Sequence, residues 1–106
     1  MLTRYILAAA ALIFVLPSHR ANSSHLVWQE DKHFSVADMS IAVGDTVVFS
    51  NEDKVIHNIF SSSEGNQFNL RRQNPGMQSA VVFSHAGTVL VRCAFHPSMR
   101  LALDVH

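Results

Sequence analysis

Three residues that can bind a metal lie at three-residue intervals near the end of the 106-residue chain, namely Cys93, His96 and Met99. They offer a thiolate, an imidazole and a thioether on one short loop. A second imidazole, that of His57, lies far upstream in an apolar segment. Two imidazoles, one thiolate and one weak thioether form the ligand set of a trigonal copper site that transfers electrons. The residue types therefore predict a mononuclear copper centre with His57, Cys93, His96 and Met99 as its ligands.

The spacing of these residues suits that chemistry. Intervals of three along a tight loop allow the donor atoms of Cys93, His96 and Met99 to converge. Pro97 stiffens the loop because its ring fixes φ and removes a backbone donor. Two imidazoles and a thiolate in a plane, with a long axial thioether, suit both Cu(II) and Cu(I), so little rearrangement is needed. Taken alone, Cys93 or Met99 would be an ordinary core residue. The combination indicates copper.

Other chemistries of cysteine and histidine fit the pattern less well. Structural zinc would use Cys93 and the imidazoles, but methionine is a poor zinc ligand. A catalytic cysteine–histidine pair needs a third orienting group, and the short domain leaves little room for a substrate cleft. We therefore do not expect an enzyme. A copper carrier or chaperone without an electron-transfer role stays open as the alternative, although a Pro-stiffened loop after a packed strand favours an electron carrier.

The N-terminal segment has a charged residue, an apolar run and small residues in the order that is typical of a secretory signal peptide. Arg4 precedes an unbroken apolar run over residues 6–16, and Pro17 ends any helix. The run is shorter than the roughly 20 residues of a membrane span, but it suits a signal peptide. The small residues of Ala21-Asn22-Ser23 offer a cleavage point. We predict a signal peptide at 1–23 and a domain at 24–106, exported to the periplasm or an equivalent space with no membrane span in the mature form.

The composition of the predicted domain limits the classes of partner that it is expected to bind. Without Arg4 and Arg20, six Lys and Arg oppose eight Asp and Glu, a formal charge of −2 with neutral histidines. The domain has no basic tract, which argues against nucleic acid as a partner. Its single cysteine cannot form a disulfide within the chain. A metal ligand is one use for a lone thiol in an oxidising compartment.

The region after residue 24 consists of short apolar runs separated by turn residues, which predicts an all-β sandwich of seven or so strands. Trp28 is expected in the core of the first strand, and a loop is expected at 38–40. The segment 55–60 reads as a strand covered on both faces, with His57 buried in its middle. The strand at 88–93 alternates so that it delivers Cys93 inward at its end.

The arrangement resembles the cupredoxins, the type 1 blue copper proteins, and within them the plastocyanin and amicyanin types. The resemblance covers about residues 34–106. It is carried by the loop motif Cys93-x-x-His96-Pro97-x-Met99, by the pair His57-Asn58, and by the turns Val43-Gly44-Asp45-Thr46-Val47 and His85-Ala86-Gly87-Thr88. It implies a single Greek-key β-sandwich whose copper ion carries single electrons.

The resemblance also implies roles beyond the ligands. The backbone N–H of Asn58 would donate to the sulfur of Cys93, and His96 would present its ring edge as the electron port. Phe95, Pro97 and Met77 would form an apolar patch around His96, where a redox donor and a redox acceptor dock transiently to a monomer. The segment between His57 and Ser79 lacks the acidic patch of plant plastocyanins, and the pair Arg71-Arg72 favours an acidic partner instead.

Overall fold

The computed structural model describes residues 3–5, 8–15 and 20–106 of the chain. Its strands are β1 (Ser24–Glu30), β2 (His33–Phe34), β3 (Asp38–Ile41), β4 (Thr46–Asn51), β5 (Ile59–Ser61), β6 (Phe68–Asn69), β7 (Gln78–Val82), β8 (Gly87–Cys93) and β9 (Arg100–Val105). The described residues contain no helix, so the predicted all-β fold is confirmed. The strand count exceeds the predicted seven or so because β2 and β6 are pieces of two residues each.

The strands form two sheets. One has the order β2-β1-β4-β7, and the other has the order β3-β9-β8-β5-β6. The pairs β1–β4 and β3–β9 are parallel, and the remaining pairs are antiparallel. The chain crosses from one sheet to the other between β2 and β3 and again between β3 and β4. Since β8 and β9 are antiparallel neighbours, the loop at 94–99 joins them at one end of the sandwich.

The core lies between the sheets and follows the alternation of the strands. In β8, Val89, Val91 and Cys93 point inward, as the sequence predicted. The ring of Phe68 packs against Phe49 and Phe83, with 5.8 Å between ring centroids in each pair. The other buried apolar residues are Val27, Phe34, Ile41, Val47, Ile59, Met99, Leu101, Leu103 and Val105. Burial of one such side chain stabilises the fold by about 1.5–3 kcal/mol.

Two local predictions were wrong. Trp28 is 41% exposed rather than in the core, because the register of β1 turns Val27 and Gln29 inward instead. The segment expected to be a loop at 38–40 belongs to β3, whose residues pair in parallel with β9. The backbone of β3 is hydrogen-bonded to β9, and the sequence of residues 38–40 alone does not indicate this pairing.

The predicted signal peptide falls partly outside the described residues, which omit 1, 2, 6, 7 and 16–19. Residues 3–5 and 8–15 are exposed and have no regular secondary structure. Among the described residues, the structure has no helix of the length and hydropathy that a membrane crossing requires.

A buried carboxylate connects the end of the predicted signal peptide and the first residues of the domain to the turn before β4. Asp45 accepts hydrogen bonds from Arg20 Nη1 at 3.1 Å, from His25 Nε2 at 2.9 Å, and from the backbone N–H groups of Ser23 at 2.9 Å and Ala42 at 3.1 Å. The hydrogen bond from His25 is the largest cause that holds the pKa of Asp45 well below its ordinary value. This cluster lies at the end of the sandwich opposite the β8–β9 loop.

Candidate metal centre

The structure brings three of the four predicted ligands together. Nδ1 of His57 lies 3.6 Å from Sγ of Cys93, and Nδ1 of His96 lies 3.8 Å from the same sulfur. The two Nδ1 atoms are 3.2 Å apart. All three donor atoms therefore lie within 4.8 Å of one another. Met99 is on the same loop, 2% exposed, and its backbone N–H donates to the carbonyl of His96 at 2.9 Å.

Strand β8 fixes the position of the sulfur. Cys93 is the last residue of β8 and pairs in register with Ile59 of β5. Beyond this pair, the N–H of Ala94 donates to the carbonyl of Asn58 at 2.9 Å. The N–H of Asn58 donates to Sγ of Cys93 at 3.4 Å, the contact that the resemblance implies. Such a donor withdraws electron density from the thiolate and tunes a metal bound to it.

The position of His57 differs from the prediction. It is fully buried, as expected, but it does not lie in the middle of a strand, because β5 begins only at Ile59. An isolated antiparallel bridge with Gln73 holds it instead. The His57 N–H donates to the Gln73 carbonyl at 3.1 Å, and the Gln73 N–H donates back at 2.8 Å. The side-chain amide of Asn51 donates to the carbonyls of Val55 and Gln73, each at 2.9 Å, and fastens both segments.

Asp53 orients the ring of His57, a role that the sequence analysis missed. Its Oδ2 lies 2.9 Å from His57 Nε2. A proton on Nε2 donates to this carboxylate and leaves the lone pair of Nδ1 directed at the cluster. Burial raises the pKa of Asp53, but hydrogen bonds from the Lys32 N–H and from His57 outweigh it and lower the pKa to about 2. The sequence pattern that would have indicated this role of Asp53 is a carboxylate four residues before the histidine.

The imidazole of His96 is suited to accept a metal at neutral pH. Its side chain is half-buried, and its ring meets that of His57 edge to face, with centroids 5.0 Å apart. Burial lowers the pKa of His96, and the charges of His57 and Lys32 lower it further, against an opposing effect of Asp53. A lowered pKa favours the neutral ring, which is the form that binds metals.

The donor set fits copper. A soft thiolate with two imidazoles suits copper and also zinc, whereas a thioether on the same loop favours copper. The N–H of Asn58 holds the sulfur of Cys93. The carboxylate of Asp53 and the backbone of Gln73 hold the buried His57. Such outer contacts fix the orientation of ligands before a metal binds. The residues present can therefore hold one copper ion.

Two β-sheets that close over a histidine–cysteine–histidine cluster at one end define the class of the cupredoxins. The family model described as copper binding proteins of the plastocyanin/azurin family matches residues 22–106. The chain belongs to this family. The sequence-based interpretation of a blue copper protein that binds one copper ion and transfers electrons is thereby confirmed.

Comparisons with individual proteins agree with this assignment. The methylamine utilization protein MauL of Methylorubrum extorquens is 33% identical over 105 residues, which cover 98% of this chain and 82% of that protein. A purple cupredoxin from Nitrosopumilus maritimus superimposes with a TM-score of 0.69 at 28% identity, over 77% of this chain and 99% of that chain. A reduced variant of amicyanin shares the fold, with a TM-score of 0.72 at 22% identity, over 82% of this chain and 86% of that chain.

Proposed function

We propose that His57, Cys93, His96 and Met99 hold one copper ion and that the protein carries single electrons between two larger redox proteins. The convergence of three donor atoms within 4.8 Å, in a chain of this family, is the observation that carries the proposal. The bound ion supplies a Cu(II)/Cu(I) couple that accepts and releases one electron. The domain itself turns over no substrate.

The residues that hold the ligands keep the rearrangement of the site small when the copper ion gains or loses an electron. Cys93 is held by its strand pair and by the N–H of Asn58, and His57 is held by Asp53 and Gln73. Side chains fixed in this way keep one arrangement whether or not an electron is present. A carrier that released its metal readily would need ligands that can move apart, so the fixed contacts favour an electron carrier over a copper chaperone.

The exposed surface around the loop supports a docking site for the partners. The ring of His96 is half-buried, whereas Phe95 is 56% exposed and Met77 is 42% exposed. Exposed apolar side chains beside an electron port suit brief encounters with another protein. Electrons would therefore enter and leave through His96, with Phe95, Pro97 and Met77 as the contact surface.

The relative and the N-terminal sequence support a proposal for the biological setting. The name of MauL links that protein to methylamine utilization, and this supports an amine-oxidising system as the source of electrons here. We place the working protein in the periplasm, after removal of a signal peptide at 1–23, as a monomer.

Voltammetry combined with chelator competition separates the electron carrier from the copper carrier. We expect a reversible one-electron wave from the copper-loaded protein and slow loss of copper to a strong Cu(I) chelator. Slow loss follows from the buried position of His57 and Cys93. Rapid loss of copper without a reversible wave would overturn electron transfer and favour the chaperone.

A further inference from the structure

A second feature of the metal-centre end is a cleft of about 220 Å³ on the Met99 side of the β8–β9 loop. Two chain segments form it, one after the β1–β2 turn and one at the end of the loop. Its lining residues are Lys32, His33, Phe34, Val36, Ala37, Ser98, Met99 and Arg100. His57, Cys93 and His96 do not line it, so the cleft meets the proposed metal centre at Met99.

The charged groups of this cleft are all basic. Lys32 and Arg100 are exposed cations, and the ring of His33 adds a further hydrogen-bonding group. The domain as a whole is acidic, with eight Asp and Glu against six Lys and Arg after residue 23. A lining with two cations and no carboxylate is therefore a local feature rather than a reflection of the composition.

Neighbouring carboxylates line other hollows rather than this cleft. Glu30 and Asp31 line an adjoining hollow with Trp28, which shares His33 and Phe34 with the cleft. Asp38 lines a groove with Met39. The carboxylate of Asp53 receives the backbone N–H of Lys32 and the ring of His57, so its charge is already engaged. The side chains of Lys32 and Arg100 therefore face the cleft without a carboxylate in its lining.

One wall of the cleft is apolar, and Ser98 adds a hydroxyl group to the lining. Phe34 is 9% exposed and Met99 is 2% exposed, and together with Val36 and Ala37 they make an apolar wall. Inorganic phosphate or sulfate would match the basic groups but not this wall. A carboxylate on a short hydrocarbon stem matches both, since a guanidinium binds a carboxylate through two parallel hydrogen bonds.

We propose that this cleft binds a short aliphatic carboxylate, supplied either by a small free acid or by a Glu or Asp side chain of a redox partner. Only the partner source rests on the proposed electron-transfer function. Binding itself does not depend on that function, because the cleft is complete in the chain without a partner.

Occupation of the cleft has a consequence for the metal centre. A negative charge next to Met99 stabilises the more positive oxidation state over the less positive one. The carboxylate should therefore lower the reduction potential, and by reciprocity it should bind the oxidised protein more tightly than the reduced protein.

The test is an amide NMR titration of the reduced, copper-loaded protein with succinate. We expect saturable shifts that are confined to the amides of residues 32–37 and 98–100. Lys32→Gln should weaken the binding about tenfold, because it removes one charge-assisted hydrogen bond. Lys54→Gln is the matched control, since Lys54 is an exposed lysine that does not line the cleft, and it should leave the affinity unchanged.

Further probes separate the sources of the carboxylate. Tighter binding of poly-L-glutamate than of succinate at the same amides supports an acidic segment of a partner, whereas equal or tighter binding of succinate supports a free acid. Inorganic phosphate should bind more weakly than either. The proposal is overturned if neither carboxylate gives saturable shifts at these amides, or if Lys32→Gln and Lys54→Gln weaken binding equally. Neither result would bear on the voltammetric test of electron transfer.

Discussion

The sulfur of Cys93 lies within 4 Å of both imidazoles, which makes it the central donor of the cluster. Cys93→Ala removes the thiolate whose charge transfer to Cu(II) gives blue copper proteins their colour. We expect the intense visible absorption of the copper-loaded protein to disappear in this variant. Its absorption spectrum with added Cu(II) checks this, and retained colour would contradict the assignment of the ligand.

The thioether of Met99 is expected to be a weaker copper ligand than the thiolate of Cys93. Met99→Leu conserves volume in the buried site, so the fold should persist at a cost below about 1.5 kcal/mol. The colour should remain because Cys93 is still present. The potential should rise, because Cu(II) loses a weak axial donor. Voltammetry of the variant measures the change, and an unchanged or lower potential would argue against an axial role.

Asp53 affects the metal centre through its contact with His57, and a substitution of Asp53 tests this role. Asp53→Asn keeps the shape of the side chain but removes the negative charge that favours a proton on Nε2. We expect the affinity for copper to fall about 10- to 100-fold, as is usual when an outer partner of a ligating histidine is lost. Competition with a chelator of known affinity measures this.

The control for this variant is Glu52→Gln, at the exposed neighbouring carboxylate. It should leave copper affinity unchanged. Equal losses in Asp53→Asn and Glu52→Gln would show that general electrostatics, rather than the contact with His57, sets the affinity.

At the scale of elements, the end of β4 supports the segment that carries His57. The buried amide of Asn51 donates to the carbonyls of Val55 and Gln73, and its oxygen accepts the N–H of Asp53 at 2.9 Å. Asn51→Ala removes these three hydrogen bonds, so the Val55 carbonyl and the Asp53 N–H lose their side-chain partner, while the Gln73 carbonyl keeps the N–H of His57. We expect a loss of at least about 1–3 kcal/mol in the free energy of unfolding, measured with urea on the copper-free protein.

Asn74→Ala is the control for Asn51→Ala, because Asn74 is exposed and lies in the turn after Gln73. Its effect on unfolding should stay within about 0.5 kcal/mol, as is usual for surface substitutions. If the two variants destabilised the protein equally, the hydrogen bonds of Asn51 would not be what supports His57.

The sequence predicted those elements whose own alternation is clear. In the run before Cys93, apolar residues occupy every second position up to the cysteine, and the structure has β8 there with the cysteine inward. Inward-facing apolar residues also recur at every second position in β4 and β9. These strands meet around the core, so local alternation was enough to predict that a loop after β8 carries His96 and Met99 beside Cys93.

The remaining features depend on partners far away in the chain. Apolar residues on both sides of His57 suggested a strand, but a bridge to Gln73 and hydrogen bonds from Asn51 decide its position. The inward direction of β1 is set by its parallel pairing with β4, and so Trp28 became exposed. No local pattern at these residues shows which distant segment they will meet.

For the whole molecule, Asp45 makes stability dependent on pH. In the folded full chain the pKa of Asp45 is lowered from the ordinary value of 3.8, and the largest cause, the hydrogen bond from His25, lies within the predicted domain. The stabilisation is therefore fully present above that value and is lost as the pH falls towards the folded pKa. Asp45→Asn should lower the unfolding temperature at neutral pH, and the gap from the unaltered protein should narrow below pH 3.8. Thermal unfolding followed by circular dichroism checks this, and a gap that stayed constant down to about pH 2 would contradict it.

The outermost strands of the two sheets are β2, β7, β3 and β6. Two of them, β2 and β6, contain only two residues, too few to serve as a template for another chain. Strand β7 is the longest of the four, and its Val82 is 59% exposed. If copies of this protein aggregate on storage or heating, strand addition should begin along β7, and a lysine introduced at position 82 should delay it.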